Sequence, residues 1–336
     1  MYKLLPVFLI ISVLIVSGCT QGGQPTTIEE SDSGQVNTGQ LTSGTESATG
    51  TSDSQGTTDT STSAGSVTSA ENWEWEQVVT GDVIPKVVYN DELYGYTGDK
   101  FSGFISYRLV NNEWVKVENL VPIVEFKNEL YGYGLYSLGD GNAFKLVNGN
   151  WTKVGTADVV PIVVYNNELY GYVNYQGTFK LVNDQWEQVN TQEITPILEF
   201  NNELLYGYSY AEDIGAQTYK LVNNEWVEVG TEDVQPILEF NNELYGYYDG
   251  ISDSGPRKLV NNDWMKIGTE DVQPMVEFDG ELYGLSFDSF TTSKLVNGKW
   301  ESVGTGSIAP KVVYNGELYG YGGDTLVPNT YKLVKK

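Results

Sequence analysis

The chain has 336 residues and a formal net charge of -26, from 45 acidic and 19 basic residues, and it contains no histidine. Without His the commonest general base and metal ligand are missing, so Ser-His-Asp, Cys-His and His-metal chemistry are excluded by inventory. The acidic balance repels phosphate backbones and anionic headgroups, which argues against nucleic acid as a partner. With 24 Tyr, 11 Phe, 8 Trp and 37 Gly, the composition suits pleated, half-buried surfaces and tight turns, and reads as all-β.

Lys3 gives the chain a small positive start, residues 4–16 form an apolar run, and Val16-Ser17-Gly18-Cys19 follows. The run is too short to span a bilayer. Small residues before the sole cysteine of the chain resemble a lipoprotein signal peptide with its lipobox. The alternative is an ordinary secretory peptide with an incidental cysteine. The resemblance implies that residues 1–18 are removed, that Cys19 carries lipid, and that the protein is extracytoplasmic, held to the membrane by this anchor alone.

Residues 20–71 are Ser, Thr, Gly, Gln and acids, with no Trp, Tyr, Phe, Lys or Arg. Such a segment lacks the apolar surface that would offset the entropy of folding, so residues 19–71 are expected to be a disordered tether. A flexible coil of that length reaches roughly 40 Å.

From residue 72 one unit recurs seven times. Its prolines are Pro85, Pro122, Pro161, Pro196, Pro236, Pro274 and Pro310, and a glutamate stands seven residues after each, from Glu92 through Glu203 to Glu317. The bases Arg108, Lys145, Lys180, Lys220, Lys258 and Lys294 each precede a Trp by six residues, whereas Lys332 has none after it. Each unit reads as four short strands. Strand A is apolar (residues 236–240), an Asn-Asn pair makes a tight hairpin, strand B is Glu-Leu-Tyr-Gly-Tyr, strand C ends in Tyr-Lys-Leu-Val, and strand D carries the Trp. Four strands in 35 to 40 residues make a propeller blade. The expected fold is an all-β, seven-bladed β-propeller over residues 72–336. The last copy lacks strand D, and Trp75-Glu76-Gln77-Val78 supplies one at the N-terminal end, so this strand should complete the seventh blade.

The apolar strand, the Leu-Tyr-Gly strand, the Tyr-rich strand and the downstream Trp resemble kelch-type propellers, the class that includes galactose-oxidase-like central domains. Gly95-Tyr96 and Gly246-Tyr247 stand where that pattern has a diglycine. The copper site of the oxidases needs His and Cys, so their activity is not implied, and no cofactor is required.

In such a blade the A–B and C–D turns share one face, and the B–C loops and the D-to-A crossings share the other. The turns are near-identical while the B–C loops vary, so binding is expected on the B–C face. Candidate ligand residues there are Tyr136, Tyr175, Tyr210, Tyr248, Phe287, Asp249 and Asp288, a mixture of rings and carboxylates suited to a glycan or a basic protein surface. Phe104 and Phe290 belong to the same loops. Three residues before the prolines stand Asp82, Asp158, Glu193, Asp233 and Asp271, a candidate Ca²⁺ site if they converge and turn-shaping groups if they do not. The repeated Glu and Lys are expected to pair across strands B and C. The expected function is a monomeric binding scaffold for a protein or glycan. The alternatives are a carbohydrate-active hydrolase or lyase using carboxylates at the mouth, and a structural component of an envelope complex.

Overall fold

The protein is described here by a computed structural model covering residues 72–99, 103–136, 140–201, 204–209, 217–250, 253–323 and 328–336. Cys19, the tether and Tyr210 lie outside the described residues. Twenty-eight strands form seven antiparallel four-stranded sheets, and the described residues contain no helix. The fold is the seven-bladed propeller expected from the repeats.

Strand A begins each blade: Ile84–Tyr89, Val121–Phe126, Val160–Tyr165, Ile194–Phe200, Val234–Phe240, Val272–Phe278 and Ile308–Tyr314. Each of these strands touches the next around the ring, so they surround the axis, and strand D is the outer edge of every sheet. The turns form as their residues dictate. Asn241 and Asn242 take φ of 51° and 59°, and Asn90 and Asp91 take 49° and 57°, the left-handed conformation that Asn tolerates and that matches the twist of a two-residue hairpin.

One register slip runs against the sequence count. Phe200 pairs with Leu204, where Phe240 pairs with Glu243, so the A–B connection of blade 4 is one residue longer and its strand B begins at a leucine. The reason is the core. Leu205 stays fully buried in line with Leu93, Leu130, Leu169, Leu244, Leu282 and Leu318, and the surplus residue goes into the connection. Lys220 of that blade hydrogen-bonds Asn262 Oδ1 at 3.0 Å.

Strand Trp73–Val79 pairs with Asn329–Lys335 as the outer strand of blade 7. Trp75 lies opposite Leu333, just as Trp226 lies opposite Leu221. The ring therefore closes with strands from both ends of the described chain in one sheet.

The tryptophans join neighbouring blades. Trp226 Nε1 donates to Thr178 Oγ1 at 3.1 Å, and Thr178 Oγ1 donates to the Ile194 carbonyl at 2.8 Å, so a blade reaches through its predecessor and back to its own strand A. Trp75 with Thr292, Trp114 with Thr330 and Trp264 with Thr218 repeat the contact. The indole also lies over the glycine of its own strand B. A Cβ on Gly246 would stand 3.1 Å from Trp264 Cη2 and 2.6 Å from the Gln235 carbonyl, so the strand-B Gly and the strand-D Trp are one packing solution.

Candidate functional site

The B–C face carries three kinds of group: tyrosine–carboxylate pairs, exposed aromatic tips and one buried guanidinium. The pairs arise because the second Tyr of strand B ends beside the next crossing. Tyr133 donates to Asp158 Oδ1 at 3.0 Å and Tyr247 to Asp271 Oδ1 at 2.6 Å. Tyr208 donates to Asp233 and Tyr321 to Asp82. Ser254 adds a bond to Asp271 Oδ2 at 2.9 Å. Desolvation, reinforced by the Asp271 carboxylate, raises the Tyr247 hydroxyl well above its ordinary pKa, so this tyrosine stays a donor. Desolvation raises Asp233 too, against the opposing Tyr208 bond.

Four of the five acids considered for a cation thus each hold a tyrosine of the preceding blade. Glu193 is half-buried beside Tyr172 and adds to the raised pKa of that hydroxyl, which desolvation dominates. Among the described residues no three acidic side chains come close enough to hold a metal ion.

The candidate ligand residues fall into different surroundings. Tyr175 is 77% exposed at φ 61°, between strands Glu168–Val173 and Gly177–Val182. Asp249 and Asp288 are exposed on the same face. Phe287 is half-buried, its ring centroid 5.5 Å from that of Tyr247, and Tyr248 is half-buried with the Arg257 guanidinium 5.0 Å from its ring centre. Tyr136 ends strand B of blade 2, with its backbone paired to Asp140. Phe104 is a strand residue, buried edge-to-face on Tyr96. Phe290 is 59% exposed at φ 54° between strands Glu281–Ser286 and Thr292–Val296.

Two features were not anticipated from the sequence. Arg257, 1% exposed, binds Glu232 through Nε and Asp253 through Nη2, both at 2.8 Å, while Lys266 reaches the other oxygen of Asp253. The Lys266 bond comes first in holding the Asp253 carboxyl below its usual range. The signal was available, since Arg257 occupies the column of Tyr107, Phe144, Phe179 and Tyr219. The other feature is Lys86 and Lys311, each one residue after the strand-A proline, where the remaining blades have Ile123, Ile162, Ile197, Ile237 and Met275.

No protein family's sequence pattern matches the chain, and no curated protein matches it. Solved structures do. The acylaminoacyl peptidase of Pyrococcus horikoshii aligns over 78% of this chain and 54% of its own at 9% identity, with a TM-score of 0.54. An acylaminoacyl peptidase in complex with Z-Gly-Gly-Phe-chloromethyl ketone aligns over 78% and 53%, again at 9% identity, with a TM-score of 0.55. The chain therefore spans about half the length of these two proteins. An auxiliary nutrient binding protein from Bacteroides ovatus aligns over 79% and 77% at 10% identity, with a TM-score of 0.42. At such identities the likeness is one of fold alone.

Proposed function

We propose that this chain is an extracytoplasmic, lipid-anchored binding scaffold that takes up a protein or glycan on its B–C face, with Cys19 as the anchor and kelch-type propellers as its kin. Tyr175 and Phe290 are the observation that carries the reading. Both are large rings held out in solvent on left-handed backbone, where Asn or Gly would sit with less strain, and both are at B–C tips. The turns of the opposite face place Asn, Asp, Lys or Gly in that conformation and no ring. Asp288 is exposed two residues from Phe290, which gives that tip the ring-and-carboxylate pairing that suits a sugar or a basic side chain.

The test is a glycan array probed with the purified chain and with a Tyr175→Ala/Phe290→Ala variant of equal melting temperature. A retained glycan whose affinity falls about tenfold, or ~1.4 kcal/mol, in the variant is the expected result. Equal binding by both removes the two tips from the site. An array that stays blank for the wild type moves the ligand to the protein class, where the same pair of proteins is compared in cross-linking.

A further inference from the structure

In six blades strands C and D are joined by a two-residue turn, and in blade 7 they are not. The second turn residue is Asn112, Gly149, Asp184, Asn224, Asn262 or Gly298, two places before each tryptophan. Trp73 holds that place in blade 7, two residues before Trp75. With no hairpin to make, the ladder runs one pair further, Trp73 opposite Lys335, and Lys336 N donates to the Asn72 carbonyl at 2.8 Å. A large ring therefore stands where the other blades have a small polar residue or glycine.

This exchange changes the groove toward blade 6. Elsewhere the turn residue can bridge blades: Lys145 of blade 2 reaches Asp184 of blade 3 at 3.1 Å, and Lys220 of blade 4 reaches Asn262 of blade 5 at 3.0 Å. An indole has no oxygen to offer in that role, and Lys294 of blade 6 holds Glu281 of its own blade at 2.7 Å. A cavity of about 500 Å³ lies between blades 6 and 7 here, within the size range of small-molecule sites.

Most of its wall is apolar, from Trp73, Phe278, Val313 and Leu333. The Trp73 and Phe278 rings meet edge to face, with centroids 6.0 Å apart at 75°, so each limits the movement of the other. Three charged groups complete the lining. Glu317 is fixed by the Lys332 ammonium at 2.9 Å and the Tyr319 hydroxyl at 3.3 Å. Lys335 carries its ammonium 5.9 Å from the Trp73 ring centre. Asp279 is exposed, and its carboxylate has no hydrogen bond or ion pair among the described residues.

We propose that this cavity binds one uncharged sugar ring, its C–H face against the Trp73–Phe278 wall and its hydroxyls on Asp279, Glu317 and Lys335. The lining favours this class over an ion. Its two carboxylates are offset by Lys335 and by the Lys332 that Glu317 already holds, so no net charge selects a cation or an anion. Acceptors and a donor stand together beside aromatic rings, and a hydroxyl can use both kinds of partner because it donates and accepts. The site lies on the face of the A–B and C–D turns and shares no residue with the B–C tips, so it stands or falls independently of them.

The test uses the full chain in detergent, with ¹⁵N at the indole nitrogens, titrated with the methyl glycosides of glucose, galactose, mannose and N-acetylglucosamine one at a time. The chain has eight tryptophans, and the Trp73 signal is the one missing from Trp73→Asn, which places a residue that three other blades carry there. At least one glycoside should move that signal saturably, with a dissociation constant in the millimolar range, while the signals of the other tryptophans stay nearly still. Saturation transfer from protein to that glycoside should be lost in Trp73→Asn. Asp279→Gly keeps the turn, because glycine accepts the φ of 53°, and should weaken binding about tenfold. The Tyr175→Ala/Phe290→Ala protein should bind the glycoside as the wild type does, and a loss there would put the sugar on the tips instead. N-acetyl-arginine amide is the competing probe: tighter binding of it than of every glycoside would make the cavity a groove for basic peptides and overturn the sugar site. Tryptophan signals that no glycoside moves or that all respond alike, or an unchanged affinity in Asp279→Gly, would overturn it as well.

Discussion

An indole nitrogen shows how finely the blades differ. In four blades the Trp Nε1 finds a Thr hydroxyl on the preceding blade: Thr178, Thr218, Thr292 or Thr330. The same column holds Ser106, Ala143 and Pro256 in the other three. The tryptophans facing those positions are Trp151, Trp186 and Trp300, and their Nε1 atoms are buried with no acceptor. The Ser106 hydroxyl oxygen accepts instead from the Glu118 backbone N–H at 3.2 Å, whereas Ala143 and Pro256 have no hydroxyl to offer. Thr218→Ala should therefore destabilise the protein by about 1 to 3 kcal/mol, because it orphans a buried donor. Ala143→Thr should stabilise it by about 1 kcal/mol by giving Trp186 the acceptor its counterparts have. Urea unfolding of both variants checks the pair, and an Ala143→Thr protein no more stable than the wild type would show that the orphaned indole is harmless there.

At the scale of the element, strands B and C are joined by an ion pair. Glu243 accepts from Lys258 at 3.0 Å and from the Tyr245 hydroxyl at 3.0 Å, and the two charged side chains are 44% and 31% exposed. Solvent screens such a pair, so Glu243→Gln should cost no more than about 1 kcal/mol, and most of that should vanish at molar salt. The turn before it is set by backbone geometry and not by charge. Asn242, at φ 59°, should tolerate Gly and lose about 1 kcal/mol or more as Ala, independent of salt. Melting temperatures of the three variants at low and high salt separate the two effects.

The whole ring depends on one strand from the N-terminal side. Trp75 packs over Gly320 of its own blade, donates to Thr292 of blade 6 at 3.0 Å, and shares the hydrophobic cluster of Phe278, Leu318 and Leu333 with Trp73. Lys336 N donates to the Asn72 carbonyl at 2.8 Å at the end of the same pairing. Trp75→Ala should destabilise the protein by about 3 kcal/mol, toward the low end for large aromatic truncations because the ring is only half-buried. Removing the strand altogether should expose the edge of Asn329–Lys335 and produce concentration-dependent association. Sedimentation velocity of such a shortened chain, compared with Trp75→Ala, distinguishes loss of packing from loss of the edge cover. An unchanged monomer that melts like the wild type would mean that the ring holds without its closing strand.

The sequence by itself determined the blade count, the four strands of each blade, the hairpin turns and the N-terminal closure. These follow from short-range physics repeated seven times: Asn pairs that accept left-handed backbone, alternating apolar residues, and a Trp at constant distance from a base. The Glu–Lys pairing was legible for the same reason, since cross-strand neighbours are local once the hairpins are placed. Only the tertiary structure decided which groups meet between blades. Asp82 and Tyr321 are far apart in the chain, and no spacing rule puts the carboxyl of one on the hydroxyl of the other. Tyr175 and Tyr248 look alike in sequence, yet one stands free at a loop tip and the other lies on Arg257. The blade 4 slip and the lysines of the closing seam belong here as well. A proline-spaced count cannot see where a connection absorbs an extra residue, and Lys86 and Lys311 become neighbours only when a ring of seven brings its first blade against its last.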